Sequence, residues 1–371
     1  MKHVTLYVIW RRSMADHSPL LHFLLDPIVV RTFDPETCSL LLAEARRAGL
    51  LVRLACRCKA LGLIADLPAR TSRQLEAALI QGEAFRSDVQ RELSHIATAL
   101  ARVETPVLLL KGASYVALGL PAAEGRIFSD IDLLVAHQQI ANVEAELMLG
   151  GWVAGQIEAY DERYYREWSH EIPPLTHLKR GTTIDLHHSL VMPTCRIAID
   201  SAAMLASAKP VGDGSRWWRL QDEDMLLHSI AHLLLNGEFD HGLRDLWDLD
   251  VLLRHFSGSD EGFWGRLGQR AQEVGLSTML GQALWLVHRF FATPIPENKL
   301  PLQRGSLLAL LELAVKPRHP ETRPAFQAVA DLILLIREVS LRLPGRLLLV
   351  HLAHKLRVGM LSVPTADVQR P

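Results

Sequence analysis

From Pro19 to Ala101, apolar residues recur at three- and four-residue spacing with charges between them, as in LLAEARRAGLLVRLACRCKALG and SRQLEAALIQGEAFRSDVQRELSHIATALARV. That period belongs to amphipathic helices and predicts an N-terminal helical region over residues 1–104. At Thr105 and Pro106 the period changes. PVLLLKG is a short apolar run ended by Gly112, the pattern of a buried strand entering a turn. Residues 114–120 then predict a short helix, 121–129 a loop, and DIDLLV (130–135) a strand with alternating acidic and apolar positions. A helix over 138–149 stops at Gly150 and Gly151. Residues 152–155, 174–179 and 182–188 supply further strands, so 105–205 reads as an α/β core with a small mixed sheet. After the turn-rich VGDGSRWW, QDEDMLLHSIAHLLLNG opens on acids and closes on Asn-Gly, a capped helix. LRDLWDLDVLLRHF, FWGRLGQRAQEVG, STMLGQALWLVHRFF, LLALLELAVK and the last hydrophobic segments keep helical spacing, which predicts a C-terminal helical region over 206–371. The expected fold class is therefore α+β, a small mixed β-sheet core flanked by two helical regions.

Composition narrows what such a core can do. The 371 residues are 49% hydrophobic and 22% charged, enough apolar material for one large core or two to three domains. Lys and Arg total 40 against 41 Asp and Glu, a net charge of -1, so no global field exists to hold a nucleic acid. Four cysteines, Cys38, Cys56, Cys58 and Cys195, are too few and too irregularly spaced for a disulfide framework or a cysteine zinc site, which points to a reducing cytoplasm. No segment offers the roughly 18 uninterrupted apolar residues of a membrane span. The richest one, 343–358, is broken by Pro344, Arg346, His351, Lys355 and Arg357. The first 13 residues place Arg11 and Arg12 after an apolar patch, the wrong order for an export signal, and Met14 is a candidate natural start.

The chemistry concentrates in Ser129-Asp130-Ile131-Asp132-Leu133. Residues two apart in a strand point the same way, so Asp130 and Asp132 present two carboxylates on one face while Ile131 and Leu133 face the core. Adjacent buried anions repel, and hard oxygen ligands at this spacing suit Mg²⁺ shared with substrate phosphates. An isolated D-x-D is more often a solvated strand end beside a turn cap, so context decides. Upstream, Lys111-Gly112-Ala113-Ser114 lies at a strand-to-helix junction, where exposed N–H groups and the helix dipole can cradle phosphate. Lys111 and Arg126 are the cations best placed for triphosphate oxygens, against the plainer alternative of a surface pair with Glu124 or another acid. Downstream, Asp185 in Ile184-Asp185-Leu186 is drawn inward by its apolar neighbours and suits a metal ligand or general base, although a strand Asp is more often an edge residue.

In order along the chain, the N-terminal helices, LLLKG, R-I-F-S-D-I-D-L-L-V, the helix ending in G-G-W, T-I-D-L-H-H-S-L, and H-S-I-A-H with L-R-D-L-W-D-L-D resemble the nucleotidyltransferase superfamily of the DNA polymerase β type. Within it the chain looks like the bacterial family called uncharacterised nucleotidyltransferases. The resemblance implies that Asp130 and Asp132 bind two divalent metals, Mg²⁺ or Mn²⁺, and that Asp185 completes the triad and helps activate an acceptor hydroxyl. It implies that Gly112 and Ser114 border the triphosphate of a nucleotide donor, with ATP expected, although Ala113 intervenes where the superfamily has Gly followed directly by Ser or Gly. The implied reaction is transfer of a nucleoside monophosphate to a hydroxyl with loss of pyrophosphate. A catalytically silent nucleotide-binding or partner-binding module of the same fold is the alternative.

Other signals carry less. His228 and His232 have zinc-compatible spacing but lack the following Glu of H-E-x-x-H, and interior packing is the expectation. His187 shares a strand face with Asp185 and is a candidate to orient it or touch substrate. Arg244 and Asp248 have the i,i+4 spacing of a surface pair, although the resemblance makes their helix a candidate to close over the nucleotide. RLLLVHLAHKLRV is basic and amphipathic; a packed helix is expected there over contact with an anionic membrane. The acceptor is left open, with a small molecule, glycan precursor or protein favoured over RNA because a tRNA channel should be basic.

Overall fold

Val107–Leu109 (β1) is no more than 1% exposed at any residue, so it is covered on both faces, and that is why its sequence is apolar without alternation. It lies inside a seven-stranded mixed sheet completed by β2 (Asp130–Leu134), β3 (Trp152–Ala154), β4 (Leu175–His177), β5 (Thr183–His187), β6 (Lys209–Pro210) and β7 (Trp217–Arg219), in the order β3-β4-β5-β2-β1-β7-β6. Strand β2 is antiparallel to β1 and parallel to β5, while β7 is parallel to β1. The computed structural model describes residues 18–155, 159–197, 199–235, 239–300, 305–343 and 345. The candidate start at Met14, the Asn-Gly stop at 236–237 and the basic stretch 346–358 lie outside the described residues.

The N-terminal period resolves into α1 (Pro19–Leu25), α2 (Pro35–Arg47), α3 (Leu51–Ala60) and α4 (Ala69–Ala99). Ser18 and Asp34 cap the first two, each followed by proline at the first helical position, where the missing N–H costs nothing. Around the sheet follow α5 (Lys111–Leu118), α6 (Ile140–Leu149), α7 (Ala159–Trp168) and α8 (Ser201–Ala206). The C-terminal part holds α9 (Asp222–Leu235), α10 (Gly242–Ser259), α11 (Phe263–Glu273), α12 (Ser277–Phe291), α13 (Ser306–Ala314) and α14 (Gln327–Arg342). Among the described residues no helix is long and apolar enough to cross a membrane.

Three departures from the pattern have physical causes. Strands β6 and β7 extend the sheet past residue 205, because Val107 and Leu108 pair with Trp217 and Trp218 after the turn that ends VGDGS. Helix α5 begins at Lys111, three residues before the expected start, so Lys111 and Gly112 lie in its first turn. Helices α7 and α8 had no clear apolar period in the sequence.

Polar contacts tie α4 to the sheet and the helical segments to one another. Glu92 of α4 accepts from Arg180 Nε at 2.7 Å and from the Thr182 hydroxyl at 2.6 Å, fastening the turn between β4 and β5. Glu44 of α2 accepts from Ser18 Oγ at 3.0 Å, from the Leu20 N–H at 2.9 Å and from the Thr322 hydroxyl, which joins the two ends of the described chain. Arg270 of α11 forms a forked pair with Asp224 of α9 at 2.8 and 2.9 Å. Gly125 lies where the loop before β2 presses on α3: its φ is +66°, and a Cβ there would sit 2.5 Å from the Arg53 Cα. Gly125→Ala should therefore lower unfolding free energy by about 2 kcal/mol or more, read from the urea midpoint, and an unchanged midpoint would contradict this packing.

Candidate active site

Parallel, in-register pairing of β2 with β5 sets Asp132 opposite Asp185 and Asp130 opposite Thr183. Strand alternation puts Ile131, Leu133, Ile184 and Leu186 in the core, each no more than 5% exposed, and turns the three aspartates to the other face. Ligand oxygens of Asp130, Asp132 and Asp185 lie within 4.8 Å of one another. They open into a cavity of about 590 Å³, also lined by Lys111, Gly112, Arg126, Glu171, His187 and Arg244.

The surrounding charges treat the three acids differently. Burial opposes the charge of Asp132, but the Lys111 ammonium at 3.1 Å and the His187 ring at 3.2 Å outweigh it and hold the carboxyl well below the usual range. Asp185 goes the other way: burial, a hydrogen bond with Asp130 and the nearby Glu171 and Asp132 carboxylates push its pKa up to about 8. Its Oδ1 is buried without a hydrogen-bond partner. Crowded oxygen donors of this kind, one of them orphaned, fit a hard divalent cation such as Mg²⁺ or Mn²⁺.

Lys111 pivots the strand-to-helix junction. Its φ is +41°, unusual for a residue with a side chain, and such conformations cost on the order of 1–3 kcal/mol where the surroundings impose them. The Leu110 N–H donates to the Asp132 carbonyl at 3.1 Å just before this turn. Gly112 follows against the Phe128 ring, where a Cβ would lie 2.6 Å from Cδ1. Ser114 does not line the cavity: it is 1% exposed inside α5, and its hydroxyl is buried without a partner.

Asp248 corrects the surface-pair expectation. It is 2% exposed, and its two oxygens accept from Arg53 Nη1 and Arg126 Nε, each at 2.6 Å. Arg244 instead donates to its neighbour Asp245 at 3.1 Å. Arg126 thus pairs with Asp248 and not Glu124, and its buried Nη1 is left without a partner beside the cavity. His187 reaches Asp132 of β2, not Asp185, the acid two residues before it. His232 lines the same cavity, whereas His228 is buried beside it. Burial and the nearby Lys111 lower His228 to about 3 and carry His232 well below its ordinary value.

His170 and Glu171 were not singled out from the sequence. They sit in an irregular segment with no period, held against the end of β5 by a bridge between Glu171 and His187 and by backbone hydrogen bonds of His170 and Ile172. Burial raises the Glu171 pKa, and His187 and Lys111 oppose that rise. The available signal was only a His-Glu pair shortly before Pro173 and Pro174.

A family model described as uncharacterised nucleotidyltransferase matches residues 34–292, well over half of the chain. The chain belongs to this uncharacterised nucleotidyltransferase family. No curated protein and no solved structure gives a match. As a nucleotidyltransferase the protein is an enzyme that transfers phosphorus-containing groups, and its substrates include a nucleotide. The matched span runs from the start of α2 to the end of α12, so it includes both the carboxylate sheet and the Arg53–Asp248–Arg126 cluster.

Two outcomes follow for this nucleotidyltransferase. Asp248→Asn strips the charge shared by two buried guanidinium groups and should cost about 3–5 kcal/mol by urea unfolding; a loss under 1 kcal/mol would remove Asp248 from this structural role. His228 and His232 are neutral when folded and take protons near pH 6.5 when unfolded. Stability should therefore fall as pH drops below 6.5, by about 1.4 kcal/mol per pH unit for each histidine. His228→Gln should flatten that slope by one proton, and an unaltered slope would show that His228 already binds a proton in the fold.

Proposed function

We propose that the enzyme transfers a nucleoside monophosphate from a nucleoside triphosphate, with ATP as donor, to a hydroxyl acceptor, releasing pyrophosphate. The observation that carries this reading is the convergence of Asp130, Asp132 and Asp185 in one cavity with Lys111. In this reading the three aspartates hold Mg²⁺ or Mn²⁺, which when bound would lower the acceptor's pKa and offset charge on the triphosphate. Lys111, Gly112 and the free Nη1 of Arg126 border the phosphates. Ser114 is left out of that set because it is buried away from the cavity. Asp185 gives up its own proton when the cation binds, and the freed carboxylate takes the acceptor proton as the acceptor oxygen bonds the α-phosphorus and the bond to the pyrophosphate oxygen breaks in line. Lys111 and His187 keep Asp132 ionised, so it stays a ligand at neutral pH. The even charge balance favours a small molecule, glycan precursor or protein as acceptor over RNA. Four unbridged cysteines suit a reducing compartment such as the bacterial cytoplasm.

Incubation with α-labelled nucleotides, Mg²⁺ or Mn²⁺ and fractionated cell extract tests the proposal. Label should pass to one fraction, and Asp130→Ala should reduce transfer by roughly three orders of magnitude while thermal stability is kept. Transfer that survives the substitution would refute the assignment. Metal-dependent ATP binding without transfer into any fraction would favour the silent-module alternative.

A further inference from the structure

A second set of donors with different chemistry lines the same cavity. His170, Glu171 and His187 each offer one ligand atom, and these atoms lie within 4.8 Å of one another. His187 Nε2 is 3.5 Å and His170 Nε2 3.8 Å from the same oxygen, Glu171 Oε2. The same nitrogen, His187 Nε2, hydrogen-bonds Asp132 Oδ1 at 3.2 Å.

These separations decide between hydrogen bonding and ligation. A good hydrogen bond from an imidazole N–H to a carboxylate is about 2.7–2.9 Å, and neither contact to Glu171 reaches it. Donor atoms about 2.0–2.2 Å from one tetrahedral ion stand about 3.3–3.6 Å apart; the His187 contact at 3.5 Å matches this and the His170 contact at 3.8 Å lies slightly outside it. Glu171 makes no hydrogen bond among the described residues, although it is largely enclosed. The Nδ1 atoms of both His170 and His187 are buried without partners; the contact with Asp132 puts the His187 proton on Nε2, so an ion at that nitrogen would take the place of the proton and of this hydrogen bond.

The backbone holds the three side chains firmly. Glu171 bridges to His187, the His170 carbonyl accepts from the His188 and Ser189 amides at 2.9 and 3.2 Å, and the Ile172 N–H donates to Leu186 at 3.0 Å. His187 itself is 3% exposed at the end of β5. A site on rigid backbone can keep its ligands in place before the ion arrives.

We propose that His170, Glu171 and His187 form a second metal centre, selective for Zn²⁺, beside the all-oxygen cluster of Asp130, Asp132 and Asp185. Two nitrogens and one carboxylate are the donors of a borderline transition ion, whereas three carboxylates favour Mg²⁺. Three protein ligands leave a position open to the cavity for water or an acceptor group. The proposal goes beyond the transfer reaction and touches it at one atom, because an ion on His187 Nε2 would replace that ring's hydrogen bond to Asp132.

The full chain, stripped of metal and titrated with Co²⁺ in excess Mg²⁺, provides the test. One equivalent of Co²⁺ should bind with the intense visible absorption of a low-coordinate site, and Zn²⁺ should displace it. Asp130→Asn should keep this signal. His170→Gln and Glu171→Gln should each weaken binding beyond the ~10–100-fold typical of losing an outer partner, with circular dichroism and melting as folding controls. If one variant does not fold, the other answers alone. Absence of Co²⁺ binding under excess Mg²⁺, loss of the signal in Asp130→Asn, or retention of it in a folded His170→Gln or Glu171→Gln protein would overturn the proposal.

Discussion

The parallel pairing of β2 and β5 brings Asp132 and Asp185 side by side, with Asp130 two residues away on the same face. Nothing in the local chemistry of carboxylates favours this crowding; the apolar residues between them enforce it. Ile131, Leu133, Ile184 and Leu186 can all be buried only in a register that points the acids the other way, and a one-residue slip would exchange the two sets. The hydrophobic side of the sheet thus supports a concentration of negative charge that would otherwise spread apart. The rise of Asp185 to about 8 expresses that strain in protons.

Cations manage the charge at two separate levels. Close to the acids, Lys111 and His187 both contact one oxygen of Asp132. Farther along the cavity wall, Asp248 gathers Arg53 from α3 and Arg126 from the loop before β2, and Arg53 also donates to the Ala122 carbonyl. The second cluster joins three parts of the chain that the hydrophobic pattern treats as separate regions. The helices on either side of the sheet are therefore part of the cavity's construction, and residues from both helical regions fix the loop that carries Arg126.

How much of this was legible in the sequence depends on how local each feature is. Asp130 and Asp132 were legible because a period of two is visible within five residues, and Asp185 because a lone acid interrupts an apolar strand. The flanking helices showed themselves through their spacing. Strand β7 was obscured because Trp217–Arg219 is short and follows a turn-rich stretch, so only its pairing with β1 and β6 identifies it. Asp248 was misread because its spacing from Arg244 imitates a surface pair, while its real partners lie 195 and 122 residues away. Ser114 had the right residue type two positions after Gly112, but the earlier start of α5 carries its side chain into the interior. Glu171 gave almost no signal, since backbone contacts with the end of β5, sixteen residues on in the chain, position it and no local period does.

The central claim is that these three distant carboxylates act as one ion-binding unit beside a triphosphate. Anomalous diffraction from crystals grown with Mn²⁺ and a non-hydrolysable ATP analogue measures this most directly. Manganese peaks enclosed by Asp130, Asp132 and Asp185, with the phosphates ordered against them, are the predicted result. An ordered triphosphate with no manganese at the three aspartates, or with Asp185 turned away from the other two, would contradict the account.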